Sequence, residues 1–273
     1  LAILVLLFFV VSFISAQIGN KDPYCNITYI GNSIDVKELV PVKDKLNTIV
    51  LNNDKHSVIN FDSIFTDDKS SDNSVEIIRE INNPKIKLII ADKNGGAGHA
   101  RNLSLEKATG RFITFLDADD YWEPNFLEEM VAFMKKENAE LVYSNYARCD
   151  ENLRPKIEDF KADKEVTFSN LLKTCRLSLL SSMYDSKRVG IEFFPEGSKR
   201  EDHVMWLNLL KKIPVGKPLP KTMAKYRMHA TSISRKKTNI MKDQYLVYKD
   251  FMKFSTAKSL YYTANWALNG FMK

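Results

Sequence analysis

Residues Arg111 to Leu116 are nearly all apolar and run without a break into Asp117-Ala118-Asp119-Asp120, three carboxylates in four residues. A strand that is apolar on both faces belongs in a largely parallel sheet covered by helices, not in a half-solvated antiparallel one. The neighbouring segments repeat that plan. Phe61 to Thr66 reads as a strand, Asp67 to Asn73 as a polar turn, and Ser74 to Ile81 as a helix by the spacing of Val75, Ile77 and Ile78. Lys85 to Ala91 is a second strand, followed by the loop Asn94-Gly95-Gly96-Ala97-Gly98 and a helix from about His99 to Thr109 that stops at Gly110. Pro124 opens a helix over Asn125 to Glu137, Glu140 to Tyr146 is another strand, and Phe168 to Thr174 a further helix. Short strands are expected at Ile27 to Ile30 and Thr48 to Leu51. Alternation on this scale predicts an α/β fold with an open, doubly wound, mostly parallel sheet flanked by helices. In such sheets ligands bind at the carboxyl ends of the strands.

Four polar features fall at those ends: Asp67-Asp68, the stretch Asn94 to Arg101, the acidic run Asp117 to Asp120, and Glu201-Asp202 in a later loop. Each has a plain structural reading as a turn, a cap or a solvated loop. The glycine loop fits a phosphate at a helix N-terminus with Arg101 adding charge, although it matches neither a Walker nor a dinucleotide spacing. The acidic run is the most informative. Three adjacent carboxylates repel one another unless a cation neutralises them, and in an extended segment the side chains of Asp117 and Asp119 point the same way. Two hard oxygen donors on one side, completed by water and phosphate oxygens, suit Mg²⁺ or Mn²⁺ in a nucleotide-diphosphate site.

The run FDSIFTDDKSSDNSVEII, then NGGAGHARNLSLEKATGRFITFLDADDYWEP, then REDHVMWLNLL, then YRMHATSISR, resembles the family-2 inverting glycosyltransferases of the GT-A fold that build bacterial surface polysaccharides. Four motifs occur in family order across residues 61 to 235. The resemblance implies that Asp67 or Asp68 binds the uracil or ribose of a nucleotide-sugar donor and that Arg101 lies near the diphosphate. It assigns Asp117 and Asp119 to ribose and metal, with Asp119 on the cation. Asp202, beside Glu201, becomes the catalytic base, Arg227 a neutraliser of phosphate charge, and His229 a ligand of the metal or diphosphate. Taken alone, His229 reads as an ordinary surface or core histidine. Two departures stand out. The first motif usually has glycine where this chain has Lys69, and the best counterpart of the usual first strand and its Pro-Val-Tyr-Asn-like turn is Leu39 to Asp44, with little room for the following helix, so the first βα unit is atypical.

The implied chemistry is a single displacement with inversion. Asp202 takes the proton of an acceptor hydroxyl as it attacks the anomeric carbon, and the cation and Arg101 and Arg227 offset charge on the leaving diphosphate. The donor is expected to be a UDP-sugar, the acceptor a glycan or lipid-linked sugar. In the helix Asp202 to Leu210, Val204, Leu207 and Leu210 form an apolar face that packs the base in place, and Trp206 reads as core. Trp122 reads equally as a sugar platform or as core. Two other readings remain open: a phosphohydrolase using the Asp-x-Asp at the strand end, and a degenerate domain that binds nucleotide or glycan without turnover.

Charge divides the chain. The formal net charge is +6, yet residues 211 to 273 hold 14 Lys+Arg against 2 Asp+Glu, which leaves 26 against 32 in residues 1 to 210. The basic part is the C-terminal quarter, so nucleic acid is not favoured as a partner. Residues 240 to 273 interleave Met, Tyr, Phe and Trp with Lys, which suits either helices packed on the catalytic domain or a helix at an anionic membrane surface holding a lipid-linked acceptor. Cys25, Cys149 and Cys175 are too scattered for a zinc site or disulfide scaffold and read as core or free thiols. The uncharged run over residues 1 to 16 resembles the apolar core of a signal peptide or an anchor, though neither an initiator Met nor a basic segment precedes it. The expected organisation is an apolar segment over 1–17, a GT-A domain over 18–235 and a basic aromatic helical tail over 236–273. It would act in the cytoplasm or on the cytoplasmic face of a membrane, or on the secretory route if residues 1 to 16 are a signal.

Overall fold

The computed structural model describes residues 26–31, 60–84, 86–162, 164–228 and 240–271. The expectations that fall on Thr48 to Leu51, Leu39 to Asp44, Cys25, His229 and residues 1–17 lie outside the described residues.

One sheet organises the chain. Its first four strands are β1 (Asn26–Gly31), β2 (Asn60–Asp67), β3 (Ile86–Ile90) and β4 (Phe112–Leu116), and its order runs β3-β2-β1-β4 with every pairing parallel. β1 takes the position between β2 and β4, where the sequence suggested a short strand at Ile27 to Ile30. Helix α1 (Ser74–Glu80) links β2 to β3, and α2 (Ala97–Glu106) links β3 to β4.

Beyond β4 the sheet changes character. It continues through β8 (Ser182–Asp185), β6 (Leu141–Cys149), β9 (Lys217–Arg227) and the two-residue β5 (Tyr121–Trp122), with β7 (Pro155–Phe160) paired to β6. Here β6 and β9 are parallel, whereas β4 with β8, β6 with β8, β5 with β9 and β6 with β7 are antiparallel. The half that carries the first motif is therefore the parallel half. The sheet is mixed where the sequence suggested mainly parallel strands. β9 contains Pro218 and Pro220, residues that cannot donate to a ladder and that demote a segment as a strand. The ladder absorbs them by register shifts opposite Ser144 to Tyr146.

The alternation of β4 shows why it had to be apolar throughout. Phe112 and Leu116 enter one core with Trp122, Phe126, Leu127 and Met130 of β5 and helix α3 (Phe126–Lys136). Ile113 and Phe115 enter the other core, with Leu105 of α2 and Val204 and Leu207 of helix α6 (Glu201–Lys212). Helices thus cover both faces of the sheet. Short helices α4 (Phe168–Leu171) and α5 (Ser186–Val189) complete the connections.

The C-terminal segment is helix α7 (Ile240–Leu246), a π-helical turn over Val247–Phe251, and helix α8 (Thr256–Phe271). Val247, Tyr248 and Met252 are buried in the second core, so this end of the segment packs on the sheet domain. On α8, Leu260, Tyr261 and Leu268 are exposed, and Tyr261 and Leu268, seven residues apart, share one face. Among the described residues, no helix is long and apolar enough to cross a membrane. Cys149 is buried and Cys175 exposed, with no disulfide among the described residues.

Candidate active site

The end of β2 sets the first wall. Asp67 accepts the Ser70 amide at both carboxylate oxygens, at 3.3 and 3.2 Å, closing a tight turn. Lys69 inside that turn has φ 68°, the left-handed conformation that glycine adopts without penalty. The position therefore keeps the geometry of the usual glycine while bearing a lysine. Asp68 reaches the glycine loop instead, accepting the Gly95 amide at 2.9 Å and the Gly96 amide at 2.7 Å. These two amides of the loop are bonded to a carboxylate of the protein. Asp67 and Asp68 are both buried.

Helix α2 carries Arg101 into the centre. Its guanidinium donates to Asp117 Oδ1 at 2.6 Å and to Glu201 Oε1 at 3.4 Å, and it sits 5.3 Å from the centroid of the Phe194 ring. Burial would weaken the charged form, but Asp117, Glu201 and Asp202 outweigh it and hold Arg101 above an ordinary arginine. Arg101 was expected at the diphosphate. Its bonds give it a structural task as well, because the buried guanidinium ties the acid after strand β4 to the acid that opens α6. Asn102, which sequence reasoning passed over, pins the loop before α6: its amide donates to the Phe194 carbonyl and accepts the Phe194 amide, both at 2.8 Å. Two adjacent residues of one helix thus fix the approach of α6. The close fit extends to Gly98, where an added Cβ would lie 3.1 Å from Glu201 Cγ.

The acidic run divides into three roles. Asp117 faces Arg101, Asp119 is exposed, and Asp120 is buried with its carboxylate accepting the Arg227 amide at 2.9 Å. Burial, helped by the charges of Asp119 and Asp117, pushes the Asp120 carboxyl well above the usual range, against the pull of the Arg227 amide. Arg227, at the end of β9, donates from Nε to the Asp119 carbonyl at 2.7 Å and from NH1 to the Glu151 carbonyl at 3.0 Å. Burial lowers its pKa. The bond to Asp119 holds the backbone of the acidic loop. Neither Asp120 nor the Arg227 contact was legible from spacing, since the two residues are 107 apart in the chain.

Glu201 and Asp202 lie in the first turn of α6, where the helix dipole favours negative charge. Burial raises the Glu201 carboxyl, with the Asp202 charge adding to it and Arg101 opposing. Beneath them His203 is buried, and its ring nitrogens face the Leu171 carbonyl at 3.2 Å and the Gln244 side-chain amide at 3.1 Å. The carbonyl requires a donor at Nε2, so Nδ1 accepts from Gln244 of α7. Burial and the Arg200 charge push His203 down to about 4, so the ring is neutral.

Two cavities meet at Glu201. One, of about 380 Å³, lies along the glycine loop and the Phe194 to Ser198 segment; the other, of about 420 Å³, is lined by Asp117, Asp120, Asp202, Tyr146, Phe160 and Tyr226 among others. Trp122 is not available as a sugar platform. It is buried, stacks on Phe126 at 4.3 Å between centroids, and donates its indole N–H to the Leu180 carbonyl at 2.6 Å. Trp206 is core, as expected.

A divalent cation needs hard oxygen donors, and Mg²⁺ characteristically takes one or two carboxylates and leaves its other positions to water and substrate phosphates. Exposed Asp119 fits that pattern. Among the described residues, no three His, Cys, Asp or Glu side chains gather as a self-sufficient metal cage, so a cation here depends on phosphate oxygens of a substrate.

The model of the family described as Glycosyl transferase family 2 matches residues 47–182. Over 220 residues the chain is 34% identical to the UDP-Glc:alpha-D-GlcNAc-diphosphoundecaprenol beta-1,3-glucosyltransferase WfgD of Escherichia coli, covering 80% of this chain and 85% of that one. Over 225 residues it is 28% identical to the putative teichuronic acid biosynthesis glycosyltransferase TuaG of Bacillus subtilis, covering 80% and 89%. Among solved structures, TarS 1-349 of S. aureus in complex with UDP-GlcNAc superposes with a TM-score of 0.65 at 20% identity, covering 89% of this chain and 71% of that one. At that identity the likeness speaks for the GT-A fold.

Proposed function

The chain belongs to glycosyl transferase family 2 and is a glycosyltransferase, and on that footing we propose that it moves a sugar from a UDP-sugar to a hydroxyl of a lipid-linked sugar acceptor, with inversion. Membership of the family sets aside the Asp-x-Asp phosphohydrolase reading. The observation that supports the proposal best is the position of Asp202, which lines the same cavity as Asp117 while the Glu201–Arg101–Asp117 bridge crosses between their elements. The acceptor chemistry is taken from the name of the 34% identical glucosyltransferase, whose acceptor is a sugar diphosphate on undecaprenol.

In this mechanism Asp202 accepts the proton of the acceptor hydroxyl while that oxygen bonds to the anomeric carbon and the bond from that carbon to the diphosphate oxygen breaks, releasing UDP. A base on one side and a leaving group on the other give inversion in one displacement. Asp202 is carried by a helix locked from below by His203 and from the side by Asn102 and Phe194, so it is held in place before substrate arrives. Asp119 would hold Mg²⁺ or Mn²⁺, which would supply Lewis-acid stabilisation of the leaving diphosphate. Arg227 supports Asp119 through its carbonyl. Asp67 and Asp68 shape the loop at the nucleoside end. Exposed Leu260, Tyr261 and Leu268 on α8, within the basic quarter of the chain, suit attachment to the cytoplasmic face of an anionic membrane, where a lipid-linked acceptor is presented.

Release of UDP or GDP from a panel of nucleotide sugars, with Mg²⁺ or Mn²⁺ and after chelation, tests the proposal on wild type, Asp119→Ala and Asp202→Asn. Metal-dependent release by wild type is expected, with weakened donor binding in Asp119→Ala, and intact donor binding but lost turnover in Asp202→Asn. Nucleotide binding without turnover in wild type overturns it in favour of a binding domain.

A further inference from the structure

The larger cavity carries features that the transfer step itself does not use. Tyr146 of β6 and Phe160 of β7 stack at 4.8 Å between centroids and 12° between planes, and Tyr226 of β9 stands edge-on to Tyr146 at 6.2 Å. All three are only partly buried and line the cavity that also holds Asp202. Arg176 and Lys199 line it too, from the segments that follow α4 and precede α6. Of its acids, Asp117 and Glu201 are bridged by Arg101 and Asp120 accepts the Arg227 amide, while Asp202 stands on the same wall. An aromatic wall offers a flat apolar surface of the kind the C–H face of a pyranose covers, and cations beside such a wall select a ligand with an anionic group next to its ring. At about 420 Å³ the cavity falls in the size range of small-ligand sites, roughly 300–1,000 Å³.

We propose that this cavity is the acceptor subsite, in which Tyr146, Phe160 and Tyr226 seat the acceptor sugar and Arg176 and Lys199 bind the phosphates on its reducing end. The inference rests on the glycosyltransferase reading and adds to it the residues that distinguish a sugar phosphate from a neutral glycoside. It also separates the two diphosphates of the reaction. The donor's lies with Asp119 and its cation, the acceptor's with Arg176 and Lys199.

Calorimetric titration in the absence of donor tests this on the full chain. The probes are a GlcNAc diphosphate carrying a short lipid, octyl GlcNAc glycoside as its neutral counterpart, and UDP with Mg²⁺. Wild type is expected to bind the diphosphate probe at least tenfold more tightly than the glycoside. In Arg176→Gln/Lys199→Gln that preference disappears while UDP affinity is unchanged; in Phe160→Leu both sugar probes weaken together. Thermal melts identify any variant that fails to fold, and the single variants Arg176→Gln and Lys199→Gln then carry the test. Equal affinity of wild type for both sugar probes, binding of neither, or loss of UDP affinity in the double variant overturns the proposal. Acceptor binding as predicted with no nucleotide release from any donor leaves this subsite standing and sinks the transferase reading instead.

Discussion

Arg101 and Asp117, sixteen residues apart in sequence, meet at 2.6 Å across the boundary between helix α2 and the end of strand β4, and the same guanidinium continues to Glu201 at 3.4 Å. One buried cation therefore sets the distance between the acidic loop and the helix that carries Asp202. A planar fork can span two carboxylates; a lysine ammonium is a single point of charge and cannot do so with the same geometry. Arg101→Lys should lower UDP release by roughly 10- to 100-fold through misplacement of the two acids, with a lower melting temperature. Steady-state rates and a melt on the same preparation check it, and an active Lys variant would argue that the bridge is incidental.

Gly98→Ala should separate stability from activity. Alanine in a helix is favoured over glycine by about 1 kcal/mol, yet its Cβ would press on Glu201 Cγ at 3.1 Å. The expected variant melts no lower than wild type while turning over roughly three- to tenfold more slowly.

Lys69→Gly should stabilise the protein. A non-glycine residue with φ 68° pays about 1–2 kcal/mol for the left-handed conformation, and the greater freedom of glycine in the unfolded chain returns part of it. A net gain of about 0.5–1 kcal/mol in urea unfolding is expected. A loss would mean that the lysine side chain makes a compensating contact.

Stability should fall on mild acidification because of His203. Its folded pKa, about 4, lies below the ordinary 6.5, so between those values the unfolded chain binds the proton and the folded one does not. The contribution is complete above pH 6.5 and is lost as pH drops toward 4. Melting temperature from pH 7 to pH 5 should decline less steeply in His203→Gln than in wild type, although the variant is less stable at pH 7.

The sequence disclosed the parallel half of the fold because β2, β3 and β4 are short apolar runs closed by polar turns and separated by helices. β9 was missed for a physical reason: Pro218 and Pro220 argue against a strand, and only the partner's register shifts accommodate them. Three of the four polar features follow the ends of β2, β3 and β4, whereas Glu201 and Asp202, read as a loop, open helix α6. What they do was less legible. Spacing cannot reveal that Asp68 is consumed by Gly95 and Gly96, or that Arg227 bonds to carbonyls of the loop it was expected to assist. Both depend on contacts between distant segments. The roles of Asn102 and Gln244 carry no local signal at all, since an amide facing a backbone or a ring nitrogen is defined only once the elements are packed.

The placement of β9 between β6 and β5 has a consequence for timing. Strand β5, which follows the acidic loop directly, pairs among the described residues with β9 alone, and Arg227 at the end of β9 grips the loop by its carbonyl. During synthesis the acids at 117 to 120 therefore emerge long before the strand that orders them, and such long-range closure is slow. The acidic loop should therefore be ordered late, only after residue 227 has left the ribosome.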